Sequence, residues 1–442
     1  MVFPQSDIVL VSNGPGELLT WVYPLARRLR RDLVAARLHL VLTPCPHAHG
    51  REAGTAAALG VFDHVIPARC FWHLLLLPRR YRRWGSQGVV VFLGGDQLWA
   101  VLLAARLGYR HVCYAEWVAR WPRWCDRIAA MGPVAYGRVP GRWRLRTRIV
   151  GDLMADVSPE QGGSPPIPEA APATIALLPG SKPAKLCLGV PFMLATAEKL
   201  HQHHPECRFL LPLAPMVRHR DLLRFAGPQN PLAATFGASA ARLDAPSPSH
   251  PHWSLCTATR VRIALVDRHP AHDQLRRCTM ALTTVGANTA ELAALAVPMV
   301  VVLPTQHPQV MRAWDGPLGL LSRAPLLGPV VTKVVVSMVL RRGSGLAWPN
   351  LQAGRMVVPE RIGPITPTQI AREMSVLLHH PARLEAMTMA LRQLRGPGGA
   401  TAALSAMVME VLRLQVHCRR RHPLPPVAER SVAEQPAAAE RS

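Results

Sequence analysis

The chain has 442 residues, 49% of them hydrophobic, and a formal net charge of +24 from 51 Lys and Arg against 27 Asp and Glu. That length exceeds one ordinary core and suits two domains, and the apolar fraction excludes a chain disordered throughout. Nine cysteines without CxxC spacing exclude a zinc ribbon and read as reduced, mostly buried thiols of a cytosolic protein. The charge calls for an anionic partner: a lipid surface or a nucleotide diphosphate ahead of nucleic acid, since the arginines fall in short groups at 27–31, 79–83, 138–148 and 419–421.

In chain order, a strand is expected over 7–12, with no signal peptide before it. A helix follows over 17–31, with Leu18, Val22, Leu25 and Leu29 on its apolar side. Further strands are expected at 38–43, 89–93 and 111–114, with a helix over 97–107 between the last two. Near-continuous apolar strands separated by helices predict a parallel sheet covered on both faces. Residues 159–172, rich in Pro, Gly and Ala, read as a linker. The pattern then restarts: strand 174–178, helix 190–201, strands 208–213, 261–266 and 280–284, helix 288–295, strand 299–303. The histidines at 201, 203 and 204 read as surface, and 228–259 as a long loop or insertion. Helices are expected over 367–378, 381–394 and 399–414, and a disordered tail after Arg419. The stretch 292–304 is too short to span a bilayer and contains Pro298, so a soluble or peripheral protein is expected. The domains are thus expected at 1–158 and 173–358, with a helical segment over 359–418.

Ligands of such sheets bind beyond the carboxyl ends of the strands, where this sequence places glycine-rich turns. Gly14 and Gly16, with Glu17 behind them, follow the first strand; the turn faces an anion or an acceptor, or simply joins strand to helix. Gly180, Ser181 and Lys182 end the first strand of the second unit and suit a phosphate, although the spacing is not that of a Walker loop. Gly286, Ala287, Asn288 and Thr289 open a helix whose amides suit a diphosphate, with Glu291 placed to accept ribose hydroxyls or to complete a capping box. Asp96, after Gly94 and Gly95, is either the base that takes a proton from an acceptor hydroxyl or the cap of the next helix. The aromatics Trp117, Trp121 and Trp124 read equally as a platform or as core. Residues 71–84, from Phe71 through four arginines to Trp84, read as an interfacial membrane element or as a buried helix with a basic end.

The runs 149–156, 177–182, 286–291 and 349–355, in that order, resemble lipid A disaccharide synthase, and the resemblance extends from the first strand to about residue 414. It implies a GT-B glycosyltransferase fold: two Rossmann-like doubly wound domains facing a central cleft, with a helical C-terminal segment packing back on the first. It implies an inverting, metal-independent transfer of a hexosamine-type sugar from a UDP-sugar, with no cofactor required, to a lipid-linked or amphipathic acceptor at the inner membrane surface, and in some members a dimer. By that resemblance Asp96 matches the acceptor base, Lys182 stands where the family has arginine, Asn350 and Arg355 lie beside the nucleotide sugar, Glu291 meets the ribose, and 71–84 face the membrane. The departures are SNGPGE in the first loop, Asp152 in place of the family's histidine, and Val285 and Ala287 around Gly286. The alternative readings are a UDP-sugar 2-epimerase-like enzyme and a non-catalytic UDP-sugar or lipid binding protein.

Overall fold

The computed structural model describes residues 6–13, 17–44, 52–157, 172–181, 183–214, 217–248, 250–305, 345–396 and 398–421, except the side chains of Arg79 and 416–421. Gly14, Gly16 and Lys182, the linker 159–171 and the tail beyond 421 lie outside the described residues.

The first sheet runs β3-β2-β1-β4-β5-β6-β7 and is parallel throughout. Its strands are β1 (Asp7–Ser12), β2 (Arg37–Leu42), β3 (His64–Ile66), β4 (Gly88–Phe92), β5 (Arg110–Ala115), β6 (Arg127–Ala130) and β7 (Thr147–Ile149). The order reverses between β1 and β4, which opens a crevice at their carboxyl ends. Helix α1 (Tyr23–Asp32) covers one face, entered through a wide π-helical turn at Leu18–Val22 rather than by one continuous helix. Pro24 explains the widening, because it has no amide to donate to the carbonyl four residues back. Helix α2 (Gln97–Leu107) follows β4.

The second sheet runs β10-β11-β12-β9-β8-β13-β14-β15. Its parallel part comprises β8 (Thr174–Leu178), β9 (Arg208–Pro212), β12 (Arg262–Val266), β13 (Met280–Thr284), β14 (Met299–Pro304) and β15 (Glu360–Gly363). Here the order reverses between β8 and β13. The segment 228–259 is not a loop: it holds a helix at Pro231–Phe236 and an antiparallel edge, β10 (Ala241–Asp244) against β11 (Ser254–Thr257). These strands are short and bounded by Pro, Ser and His, which hides their alternation. Helix α3 (Pro183–His203) lies close over the turn after β8, because Gly189 has no Cβ to collide with Pro179. His204 just beyond it is buried rather than on the surface, held by Ser375 Oγ at 2.8 Å.

Helix α4 (Ala287–Ala294) follows β13, and α5 (Trp348–Ala353) precedes β15. Of the segment expected to pack back on the first domain, α6 (Pro367–Leu378) and α7 (Pro381–Arg395) stay with the second sheet, where Ile370, Met374, Met387 and Leu391 are buried. Only α8 (Ala400–Arg421) returns. Its Leu404, Met407, Val408, Val411 and Leu412 join the core made by Leu10, Leu25, Leu29 and Val89 of the first domain. Asp156 fixes its start, accepting from the amides of Gly399 and Thr401 at 2.5 Å each.

Candidate functional site

The carboxyl ends of β1, β5, β6 and β7 face that of β13 across a cleft of about 330 Å³ between the two sheets. Glu17, Trp21, Glu116, Trp117, Asp152 and Met154 line one wall; Gly286, Ala287, Thr289, Ala290, Trp348 and Leu351 line the other.

The first wall is acidic. Glu17, at the entry to the π-helical turn, accepts from Ser12 Oγ at 3.3 Å, and a Cβ at Gly94 would run into its carboxylate. Glu116 lies one residue beyond β5. Burial pushes its pKa up to about 7, helped by the charges of Asp152 and Glu17, while hydrogen bonds with the Trp117 and Trp348 side chains pull it down. Asp152 follows Gly151, which takes φ of 97°. Burial raises its pKa to about 6, against the pull of the Met154 amide that donates to it at 2.9 Å. One type of cause thus acts twice: carboxylates are withdrawn from water beside one another.

The second wall offers the start of a helix, with a cation, Lys185, packed against the Gly286 turn outside the lining itself. Gly286 has φ of 149° and precedes α4, so the amino-terminal start of that helix, Gly286 and Ala287, lines the cleft. Thr289 Oγ1 donates to Gly286 O at 2.7 Å and accepts from Trp348 N at 3.1 Å, which ties α5 to the turn. Asn288 Nδ2 donates to Leu178 O at 3.3 Å and so joins the ends of β8 and β13. Lys185 is the cation. It comes from the first turn of α3, packs against Gly180, and donates from Nζ to Val285 O at 2.8 Å. A side chain at Gly286 would collide with that ammonium.

The other residues chosen from the sequence lie as follows. Asp96 caps α2, accepting from Leu98 N at 2.9 Å; its side chain is 50% exposed, 3.9 Å from Arg120, and does not line the cleft. Gly180, with φ of 104°, and Ser181 form the turn beneath Lys185. Glu291 stands in α4 with its Oε1 3.2 Å from His272 Nε2. Asn350 is fully buried: its amide takes the Val357 and Val358 N–H groups and donates to Val358 O and Glu360, so it shapes the loop before β15 instead of facing a ligand. Arg355 is exposed beyond α5. Sequence reasoning passed over Lys185, Glu116 and Trp348. Glu116 carried a signal, its place at the carboxyl end of a strand, but the neighbouring tryptophans drew the attention. Lys185 carried none, because it enters the site from within a helix. Among the described residues, His204, Glu206 and Cys207 have donor atoms all within 4.8 Å of one another and could share an ion; none of the three lines the cleft.

Two Rossmann-like sheets with a cleft between their strand ends define the GT-B class of α/β fold. The same fold is seen in a UDP-N-acetylglucosamine 2-epimerase structure from Listeria monocytogenes, at a TM-score of 0.51 and 11% identity over 95% of this chain and 98% of that one. No family model matches the chain. In sequence it is 29% identical over 248 residues to the lipid-A-disaccharide synthase of Anaeromyxobacter sp. (strain K), covering 55% of this chain and 51% of that one. It is 26% identical over 305 residues to that of Geobacter sulfurreducens, covering 66% and 64%. The chain is thus similar in sequence to lipid-A-disaccharide synthases, from which it diverges. It spans about half the length of the first of these relatives.

Proposed function

We propose that the chain moves a hexosamine-type sugar from a UDP-sugar to a lipid-linked or amphipathic sugar acceptor, with inversion at the anomeric carbon. The observation that carries this reading is the opposed polarity of the cleft walls. Gly286 and the start of α4 line one side, with the Lys185 ammonium held against Gly286 and Val285 behind them; Glu17, Glu116 and Asp152 offer carboxylates on the other. A displacement with inversion needs that polarity, because the base and the leaving group act on opposite faces of the reacting carbon. The diphosphate would lie over the turns at Gly180 and Gly286, where departing negative charge meets helix amides and the Lys185 ammonium. Glu291 would reach the ribose. The names of the relatives supply the acceptor class, a lipid-linked sugar.

Incubation with a UDP-linked acylated glucosamine and an acylated glucosamine phosphate should release UDP and yield a disaccharide of inverted linkage, read by mass spectrometry and NMR. Inversion at C2 of UDP-N-acetylglucosamine, with no disaccharide, would make the protein an epimerase instead. Failure to bind or consume any UDP-sugar would leave no enzyme reading standing.

A further inference from the structure

We infer that Glu116, and not Asp96, takes the proton of the incoming acceptor hydroxyl. This rests on the transfer reading above and names the base within it. The step balances simply: the acceptor oxygen bonds to the anomeric carbon, the carbon–oxygen bond to UDP breaks with its electron pair leaving on the diphosphate, and the hydroxyl proton passes to the Glu116 carboxylate.

Three observations carry the assignment. The first is position. Glu116 lines the acidic wall of the cleft, opposite the Gly286 turn, whereas Asp96 lies outside the lining. A base there faces the attacking oxygen while the leaving group departs towards α4. The second is engagement. Asp96 already serves its own helix, accepting the Leu98 amide in a half-exposed position. Asp152 likewise accepts the Met154 amide, and Glu17 accepts from Ser12. Glu116 instead lines the cleft beside Trp117 from its own domain and Trp348 from the other. It therefore stands where the domains meet. The third is basicity. The titratable groups that face Glu116 are Asp152 and Glu17, both acidic, and together with burial they bring it up to about 7. An ordinary exposed carboxylate is a far weaker base; a group near the working pH is a better one.

The test compares Glu116→Gln with Asp96→Asn, using a UDP-linked acylated glucosamine, an acylated glucosamine phosphate and, separately, UDP alone. Glu116→Gln should lower kcat on the order of 100-fold or more while UDP affinity stays within about twofold of the parent. The parent kcat should fall about tenfold per pH unit below about pH 7, and the residual activity of Glu116→Gln should lack that limb. Asp96→Asn should keep transfer within severalfold. A circular-dichroism melt checks that both variants fold; Glu116→Gln should melt no lower than the parent at pH 8, since it removes a buried charge. Parental turnover in folded Glu116→Gln, or an unchanged acid limb in it, overturns the assignment, and so does loss of transfer confined to Asp96→Asn. A parent protein that binds UDP but transfers to no acceptor removes the base role and leaves the nucleotide reading intact. A parent that binds no UDP removes both.

Discussion

Asp7 is fully buried at the amino end of β1, on the opposite edge of the sheet from the cleft, and its chemistry runs opposite to that of Glu116. Arg37 reaches it at 2.7 and 3.0 Å, His39 at 3.0 Å, the Tyr109 hydroxyl at 2.5 Å and the Gly85 amide at 2.6 Å. Burial alone would raise its pKa, but the His39, Tyr109, Gly85 and Arg37 donors together hold it well below the usual carboxylate range. A depressed folded-state pKa contributes stability that is present above the unfolded value near 4 and is lost as pH falls through the folded value. Asp7→Asn should therefore cost about 3–5 kcal/mol at pH 7, and the cost should shrink below about pH 4; urea titrations at pH 7 and pH 3 measure both. An equal cost at the two pH values would show that packing, not charge, is at stake. Neither Asp7 nor Glu116 could be assigned from sequence, because their environments are made by residues far along the chain: Tyr109 for the one, Trp348 for the other. The glycine turns at Gly180 and Gly286 could, since strand, glycine and helix start follow one another locally.

At the scale of elements, strands and helices with strong patterns were legible to within a few residues, as β8, α2 and α6 show. The edge pair β10 and β11 was not, being short and flanked by Pro and Ser. Nor was the destination of α8, since amphipathic periodicity names the face that a helix buries but not the partner. The helix at Phe71–Leu76 illustrates both sides. Phe71 and Leu74 are buried as a core pattern requires, while Trp72, Leu76 and Leu77 are exposed at 49%, 62% and 43%, beside exposed Arg80 and the exposed Leu102 of α2. We propose that this apolar patch with its basic neighbour seats the protein on an anionic lipid surface. Each basic group near such a surface contributes about 1 kcal/mol. Trp72→Ser with Leu76→Ser should cut co-sedimentation with phosphatidylglycerol vesicles severalfold, and high salt should weaken the parent; equal recovery of parent and variant would remove this surface from the contact. Among the described residues no helix is long and apolar enough to cross a membrane.

For the whole molecule, sheet topology determines where chemistry takes place. Each sheet reverses its strand order once in its parallel part, between β1 and β4 and between β8 and β13, and the crevices so opened face each other. After α7 of the second body the chain returns to the first, where α8 joins its core, so the C-terminal segment links the two walls again. Two domains and a parallel sheet in each were legible from repeated strand–helix alternation. The polarity of the cleft was not, because it depends on which side chains from different elements meet. Its central consequence is a nucleotide diphosphate seated between Gly180, Lys185 and Gly286. Calorimetric titration with UDP tests this most directly. Saturable binding at one site is expected, weakened about tenfold or more by Lys185→Met and also by Gly286→Val, whose side chain would displace the ammonium and strain the turn. Absence of UDP binding by the parent, or binding that both substitutions leave unchanged, would contradict it.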